Sequence, residues 1–356
     1  MDDAQAPAEV VVSDVSYRAV ETGAGASDAL RAGFAAAWPS YLDWFLRDGE
    51  EPRPTYAEGR HALAVHMPEL LGTYDLLTEA VGGGDLEARF LSHWCPPPLF
   101  AACSMVTWPS ASMLLRNYDY PPAMCDATML AASWGGVRTV AMADCTWGAL
   151  DGINEHGLAV AISFGGRPVV GDGFGIGLIV RYLLQVTATV VDALAVLDRV
   201  PVRMPYNVAL LDAAGGAAVA FISPDRPMVV SDRLSAANRQ GTSEWPEYEE
   251  FCGTLERETL LDESVALGPT AEQLLDRMLT PPVFRSTADS PWGTVYTSVY
   301  DTNSLSATLA WPGTAWKQSL WDFEEGVQVR SMPIHVPPEA RIHTGHGPTH
   351  RPLLIA

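Results

Sequence analysis

Cys103-Ser-Met-Val-Thr-Trp-Pro-Ser-Ala-Ser-Met-Leu-Leu-Arg-Asn-Tyr-Asp-Tyr120 reads as a β-hairpin. Two runs of β-branched, aromatic and apolar residues flank Pro109-Ser-Ala, a combination that turns a chain. Just ahead, Cys95-Pro-Pro-Pro forces an extended path, because proline fixes its own φ and biases the residue before it away from helix. The hairpin opens on a thiol and returns with Arg116 and Asp119, so its turn brings two opposite charges back beside Cys103. Taken alone, free cysteine is more often a small core residue than a nucleophile. The neighbouring charges are what single this one out; a salt bridge internal to the hairpin is the alternative for the pair.

Outward from the hairpin the pattern divides into zones. Residues 1–102 are mostly helical in pattern, with Asp28-Ala-Leu-Arg-Ala-Gly-Phe as one helix and residues 66–80 as another. In the second, Leu70, Leu71, Tyr74 and Leu77 share a face. Gly82-Gly-Gly stops it. Strands joined by tight turns follow the hairpin at 137–143, 146–150 and 158–164, with Gly152 and Gly157 assigned to turns. Two helices come next, the second capped at Thr189-Val-Val-Asp192. Strands at 207–212, 217–222, 294–300 and 304–310 surround one more helix after Thr270. Strand blocks around a central helical pair predict an α+β fold with largely antiparallel sheets. The division expected is a helical N-terminal segment (1–102), a catalytic domain (103–335) and a C-terminal tail (336–356).

The bulk numbers exclude several functions. Of 356 residues, 48% are hydrophobic and 18% charged, enough apolar content to bury a core. The net charge is −21 with no basic block, so nucleic acid and anionic membrane surfaces are poor partners. The acidic start lacks a secretory pattern. The apolar stretch Gly177–Val191, interrupted by Arg181 and Gln185, reads as a core helix and not a membrane span. Five scattered cysteines without CxxC spacing fit reduced thiols, and the expected location is the cytoplasm.

Four motifs then stand in a telling order: Cys103-Ser; Leu115-Arg-Asn-Tyr-Asp-Tyr; Gly148-Ala-Leu-Asp-Gly-Ile-Asn-Glu-His-Gly-Leu-Ala-Val; and Ala236-Ala-Asn-Arg. In this the chain resembles the cysteine-type N-terminal-nucleophile (Ntn) hydrolases. The resemblance is to the penicillin acyltransferase-like branch (acyl-coenzyme A:6-aminopenicillanic acid acyltransferase), with choloylglycine hydrolases and penicillin V acylases more distant. It implies a four-layer αββα sandwich and a precursor that cuts itself between Ala102 and Cys103. It also implies catalysis by the freed cysteine, without cofactor or metal, on a small-molecule amide or acyl-thioester. The 1–102 fragment would stay bound as a partner. An α-amine with a pKa of about 7.7–8.0 can take a proton from a thiol of about 8.5, so one residue supplies nucleophile and base.

By the same resemblance Arg116 would favour the thiolate and Asp119 would hold the α-ammonium or orient the base. Asn154 would be an active-site residue, and Asn238 the amide that stabilises the tetrahedral oxyanion. Asparagine beside glycine is also a common turn residue, which is the alternative for Asn154 and, less so, for Asn238. Of later arginines only Arg285 could match the one in choloylglycine hydrolases; it lacks a flanking motif and is not assigned. Those enzymes begin at the nucleophile, whereas 102 residues precede it here, so bile acids are not the expected substrate. An acyltransferase drawing on a carrier-bound or coenzyme A thioester, and a non-catalytic ligand-binding relative, are the competing functions. Gly171-Asp-Gly-Phe-Gly-Ile-Gly lacks the spacing of a dinucleotide loop. The tail histidines His335, His343, His346 and His350 read as a polar tail and not as metal ligands.

Overall fold

The computed structural model describes residues 9–288, 290 and 292–336. The chain opens with strand β1 (Glu9–Gly23) and helices α1 (Asp28–Phe45), α2 (Tyr56–His66), α3 (Leu71–Ala80) and α4 (Asp85–Leu91). The hairpin β2 (Ala102–Trp108) and β3 (Met113–Asp119) follows, then β4 (Thr128–Ala132), β5 (Thr139–Asp144), β6 (Gly148–Asn154) and β7 (Ala159–Phe164). Helices α5 (Ile176–Val186) and α6 (Val190–Arg199) lead to β8 (Tyr206–Leu211), β9 (Ala217–Ser223), β10 (Arg226–Val230) and β11 (Ser235–Ala236). Helices α7 (Pro246–Cys252), α8 (Thr254–Ala266) and α9 (Ala271–Met278) precede β12 (Thr294–Asp301), β13 (Ser306–Trp311), β14 (Thr314–Ser319) and β15 (Gly326–Val336).

Among the described residues the strands form two sheets, ordered β10-β9-β8-β7-β6-β5-β4-β1-β15 and β11-β2-β3-β12-β13-β14. The β1–β4 pair is parallel and every other pair antiparallel. Strands β2 and β3 lie against β7 and β8, so the sheets stack face to face. Helices α5 and α6 cover the outer face of the larger sheet; α8 and α9 cover that of the smaller. The result is four layers, α, β, β and α, as expected from the sequence.

Local chemistry accounts for the helix boundaries. The Thr55 hydroxyl accepts from the Glu58 amide while the Glu58 carboxylate accepts from Thr55, and Thr270 and Gln273 repeat the device at α9. At α6 Thr189 accepts from the Asp192 amide. Helix α5 is apolar on nearly every side and buried from Ile176 to Gln185, because it is packed by the sheet on one side and by neighbouring elements on the others.

Three expectations need correction. The segment before Cys103 is not simply helical: β1 sits inside the larger sheet, hydrogen-bonded to β15 on one side and β4 on the other. The point 102/103 thus lies between strands of one sheet, with β1 before it and β4 and β15 after it. Gly152 is not a turn residue but lies within β6, where a Cβ would come within 2.6 Å of the Ala141 Cβ and 2.7 Å of Leu184 on α5. Its bareness lets the helix press on the sheet, while Gly157, at φ 79°, does make the β6–β7 turn. Finally, β15 runs one residue past the expected tail boundary, to Val336. The rest of the tail, with His343, His346 and His350, lies outside the described residues, as do Asp289 and Pro291.

Candidate active site

Period-two alternation sorts the hairpin's side chains. Cys103 and Met105 of β2, with Leu114 and Tyr118 of β3, pack in the main core. Val106 and Leu115 point the other way and pack with Leu261, Leu274 and Met278 beneath α8 and α9. Arg116 shares the face of Leu114 and Tyr118, so it enters the space between the sheets, where its Nε donates to the Ile162 carbonyl of β7 at 2.7 Å. Asp119 is three residues on and therefore faces the helical layer.

Between the sheets, Arg116 Nη2 lies 3.2 Å from Cys103 Sγ, and Nη1 reaches Asp151 Oδ2 at 2.5 Å. The Tyr118 ring lies 4.5 Å from the guanidinium. Tyr296 and Tyr300 donate hydroxyls to the same Asp151 carboxylate. Arg116 and Asp151 are both fully buried. Such a pair is held by its geometry, because losing either partner strands a charge away from water. Burial pushes the Cys103 thiol up, and the Arg116 charge pulls against that.

On the helix side, Asp119 accepts from Arg257 of α8 at 2.5 Å and from Thr294 at 2.7 Å. Arg257 Nη2 donates to Asn238 Oδ1 at 3.1 Å, and the same oxygen accepts the backbone N–H of Cys103 at 3.0 Å. Asn238 Nδ2 donates to the carbonyls of Ala101 (3.3 Å) and Phe164 (3.1 Å). Tyr248 donates its hydroxyl to the Ala101 carbonyl as well, at 2.8 Å. Asn238 thus brackets Ala102, holding the Cys103 amide after it and the Ala101 carbonyl before it. Gly166, at φ 68°, makes room for it: a Cβ there would fall 2.1 Å from the Asn238 carbonyl.

Of the residues singled out in the sequence, Cys103, Arg116, Asp119 and Asn238 are thus joined through Arg257 and the junction at Ala102. Asp119 touches neither atom of the thiol; it reaches the Cys103 nitrogen through Arg257 and Asn238. Asn154 does not join them. Its Nδ2 donates to Leu184 and Thr187 at the end of α5, and its Oδ1 accepts from the amides of His156 and Leu158. That set belongs to a turn anchor. The motif's contribution to the cluster is Asp151 instead. Arg257 and Asp151 were missed. Asp151 lies inside the 148–160 motif, and its sequence signal is that a buried strand arginine needs a strand carboxylate to neutralise it. Arg257, on a helix of weak amphipathic pattern, carried no local mark. Arg285 bonds to Phe251 and Ser290.

A small cavity reaches this cluster, lined in part by Ala101, Cys103, Arg116, Tyr118, Ile162 and Phe164. Among the described residues no group of three or more histidine, cysteine or acidic side chains is placed to hold a metal. No helix there is long and apolar enough to cross a membrane.

The α, β, β and α layering is the fold that the resemblance to Ntn hydrolases implies. The sequence model of the acyl-coenzyme A:6-aminopenicillanic acid acyl-transferase family matches residues 106–316, beginning just past Cys103 and covering more than half of the chain. The chain belongs to that family. Among curated protein sequences none matches. Similar solved structures include penicillin V acylase from Agrobacterium tumefaciens, 17% identical, covering 61% of this chain and 86% of that one, with a TM-score of 0.43. A variant of conjugated bile acid hydrolase from Clostridium perfringens is 10% identical over 65% of this chain and 97% of its own, with a TM-score of 0.45. The N-acylethanolamine-hydrolyzing acid amidase ortholog of Caenorhabditis elegans is 14% identical over 56% and 92%, with a TM-score of 0.38.

Proposed function

We propose that the protein is an autoprocessing amidohydrolase or acyltransferase in which Cys103, freed by cleavage of the Ala102–Cys103 bond, is the nucleophile. The observation that carries this reading is Asn238 holding the Cys103 amide and the Ala101 carbonyl, on either side of Ala102, while Arg116 holds the Cys103 sulfur. In processing, Sγ attacks the Ala102 carbonyl carbon. The C–N bond breaks as the C–S bond forms, and the departing nitrogen takes the thiol proton to become the α-amine. Water then hydrolyses the thioester, leaving Ala102 as a carboxylate and Cys103 as a free thiol.

In turnover the α-amine accepts the thiol proton, and the thiolate attacks the substrate's amide or thioester carbonyl. Collapse expels the leaving group, which takes that proton, and an acyl-cysteine remains. Water or an amine attacks the acyl carbon, the C–S bond breaks, and the attacking group's proton returns to sulfur. Arg116 stabilises the thiolate in both acts. Asn238 holds the nitrogen of Cys103, with Asp119 and Arg257 fixing Asn238 in turn. The 1–102 fragment stays bound after the cut, because β1 is paired on both edges within the larger sheet.

Intact-mass spectrometry tests this. Wild-type protein is expected as two co-purifying fragments divided before Cys103, and Cys103→Ala as one uncut chain. Active wild type present only as the uncut chain would overturn the reading.

A further inference from the structure

Helix α1 presents Leu30, Gly33, Phe34, Ala37, Tyr41 and Trp44 at helical spacing to one cleft. The opposite wall is built from Val20 of β1, Leu130 of β4 and the loop after β3, including Tyr120 and Met124. The cleft encloses about 410 Å³, within the range of small-molecule sites. Trp44, Leu99, Asp144 and Cys145 line both this cleft and the smaller cavity at Cys103. The two spaces meet at those four side chains.

We infer that this cleft holds the acyl part of the substrate, and that the acyl group is an extended apolar chain reaching from Cys103 along α1. The inference rests on Cys103 as nucleophile and adds what the enzyme accepts. The lining is chiefly aliphatic and aromatic. Its Asp126 carboxylate is already engaged, accepting from the Tyr41 hydroxyl at 2.7 Å and the Cys145 amide at 2.9 Å. Burial raises both carboxyls, and Asp126 raises Asp144 further, to about 7, so the Asp144 side of the wall is only partly charged at neutral pH. A leaving amine, which departs protonated into water, suits this lining less well than hydrocarbon. The consequence is that the segment ahead of the cleavage point sets acyl preference while the segment after it performs the chemistry.

Gly33 is the place to test this. A Cβ there meets nothing within 4 Å, and its backbone is helical, so Gly33→Leu fills the cleft without strain and favours the helix. Ala37→Phe is a second blocking variant, and Ala35→Leu, on an exposed position of α1, is the control. Binding of decanamide and acetamide is measured by calorimetry on proteins that all carry Cys103→Ala, so that the result is independent of catalysis. Decanamide should bind far more tightly than acetamide, since each buried methylene contributes roughly fourfold. Gly33→Leu and Ala37→Phe should each weaken decanamide by roughly tenfold or more while sparing acetamide, and Ala35→Leu should change neither. Decanamide binding no tighter than acetamide, or unaltered by both blocking variants in folded protein, overturns the inference. Decanoyl and acetyl p-nitroanilides are then compared with Cys103 present. Decanamide binding of the expected kind without Cys103-dependent turnover would count against the nucleophile and leave the cleft assignment standing.

Discussion

Arg116 and Asp119 stand three residues apart on one strand and so point to opposite faces of it. This places the cation at the Cys103 sulfur and the anion in the helical layer, where it holds Arg257 and, through Asn238, the Cys103 nitrogen. Arg116→Met should therefore move the pH profile of Cys103 alkylation by iodoacetamide to higher pH, because the charge opposing the burial effect is gone. A profile that stays in place would remove Arg116 from the thiol's environment. Asn238→Ala should slow acylation, because the Cys103 nitrogen loses the oxygen that holds it. Asn238→Asp should do no better: it can still accept from Cys103 and Arg257 but sets a carboxylate oxygen against the Ala101 and Phe164 carbonyls. Melting temperature and single-turnover rate separate this from a merely structural role, which would lower the first and spare the second. Cys103, Arg116 and Asp119 were legible because they share one hairpin. Arg257 was not, because 138 residues separate it from the carboxylate that it pairs with.

At the scale of elements, Asn154 ties the β6–β7 turn to the end of α5 through four hydrogen bonds. Asn154→Ala should lower unfolding free energy by about 2–3 kcal/mol, from the buried partners left unpaired, with the turnover of folded protein unchanged. Urea titration with kinetics checks this, and a lost rate at full stability would return Asn154 to the site. The hairpin, the central helices and the capped helix after Thr270 were readable because each signal is local. Strand β1 was missed although Val15, Tyr17 and Ala19 alternate with exposed neighbours over its second half. Its partners begin more than a hundred residues away in β4 and three hundred in β15, so nothing nearby marked the run as paired. The helices on either side of the sandwich followed the expected layering, because each needs a sheet face to cover its apolar side.

For the whole molecule, the two sheets enclose ionisable groups that couple folding to pH. Burial and Asp126 raise the Asp144 carboxyl to about 7 from an ordinary 3.8, with Arg116 opposing. The folded state then keeps a proton that the unfolded chain releases. This contribution is full below the unfolded value and lost as pH rises through about 7. Asp144→Asn should accordingly shrink the loss of stability between about pH 5 and about pH 8, measured as urea midpoints; an unchanged difference would contradict the assignment. The most direct measurement of the central claim is the mass of the acyl-enzyme. Wild-type protein turning over decanoyl p-nitroanilide is quenched in acid, and the fragment beginning at Cys103 is weighed and mapped. A decanoyl adduct on Cys103 that is absent from Cys103→Ala is the result predicted. An adduct on another residue, or steady turnover by Cys103→Ala, would contradict it.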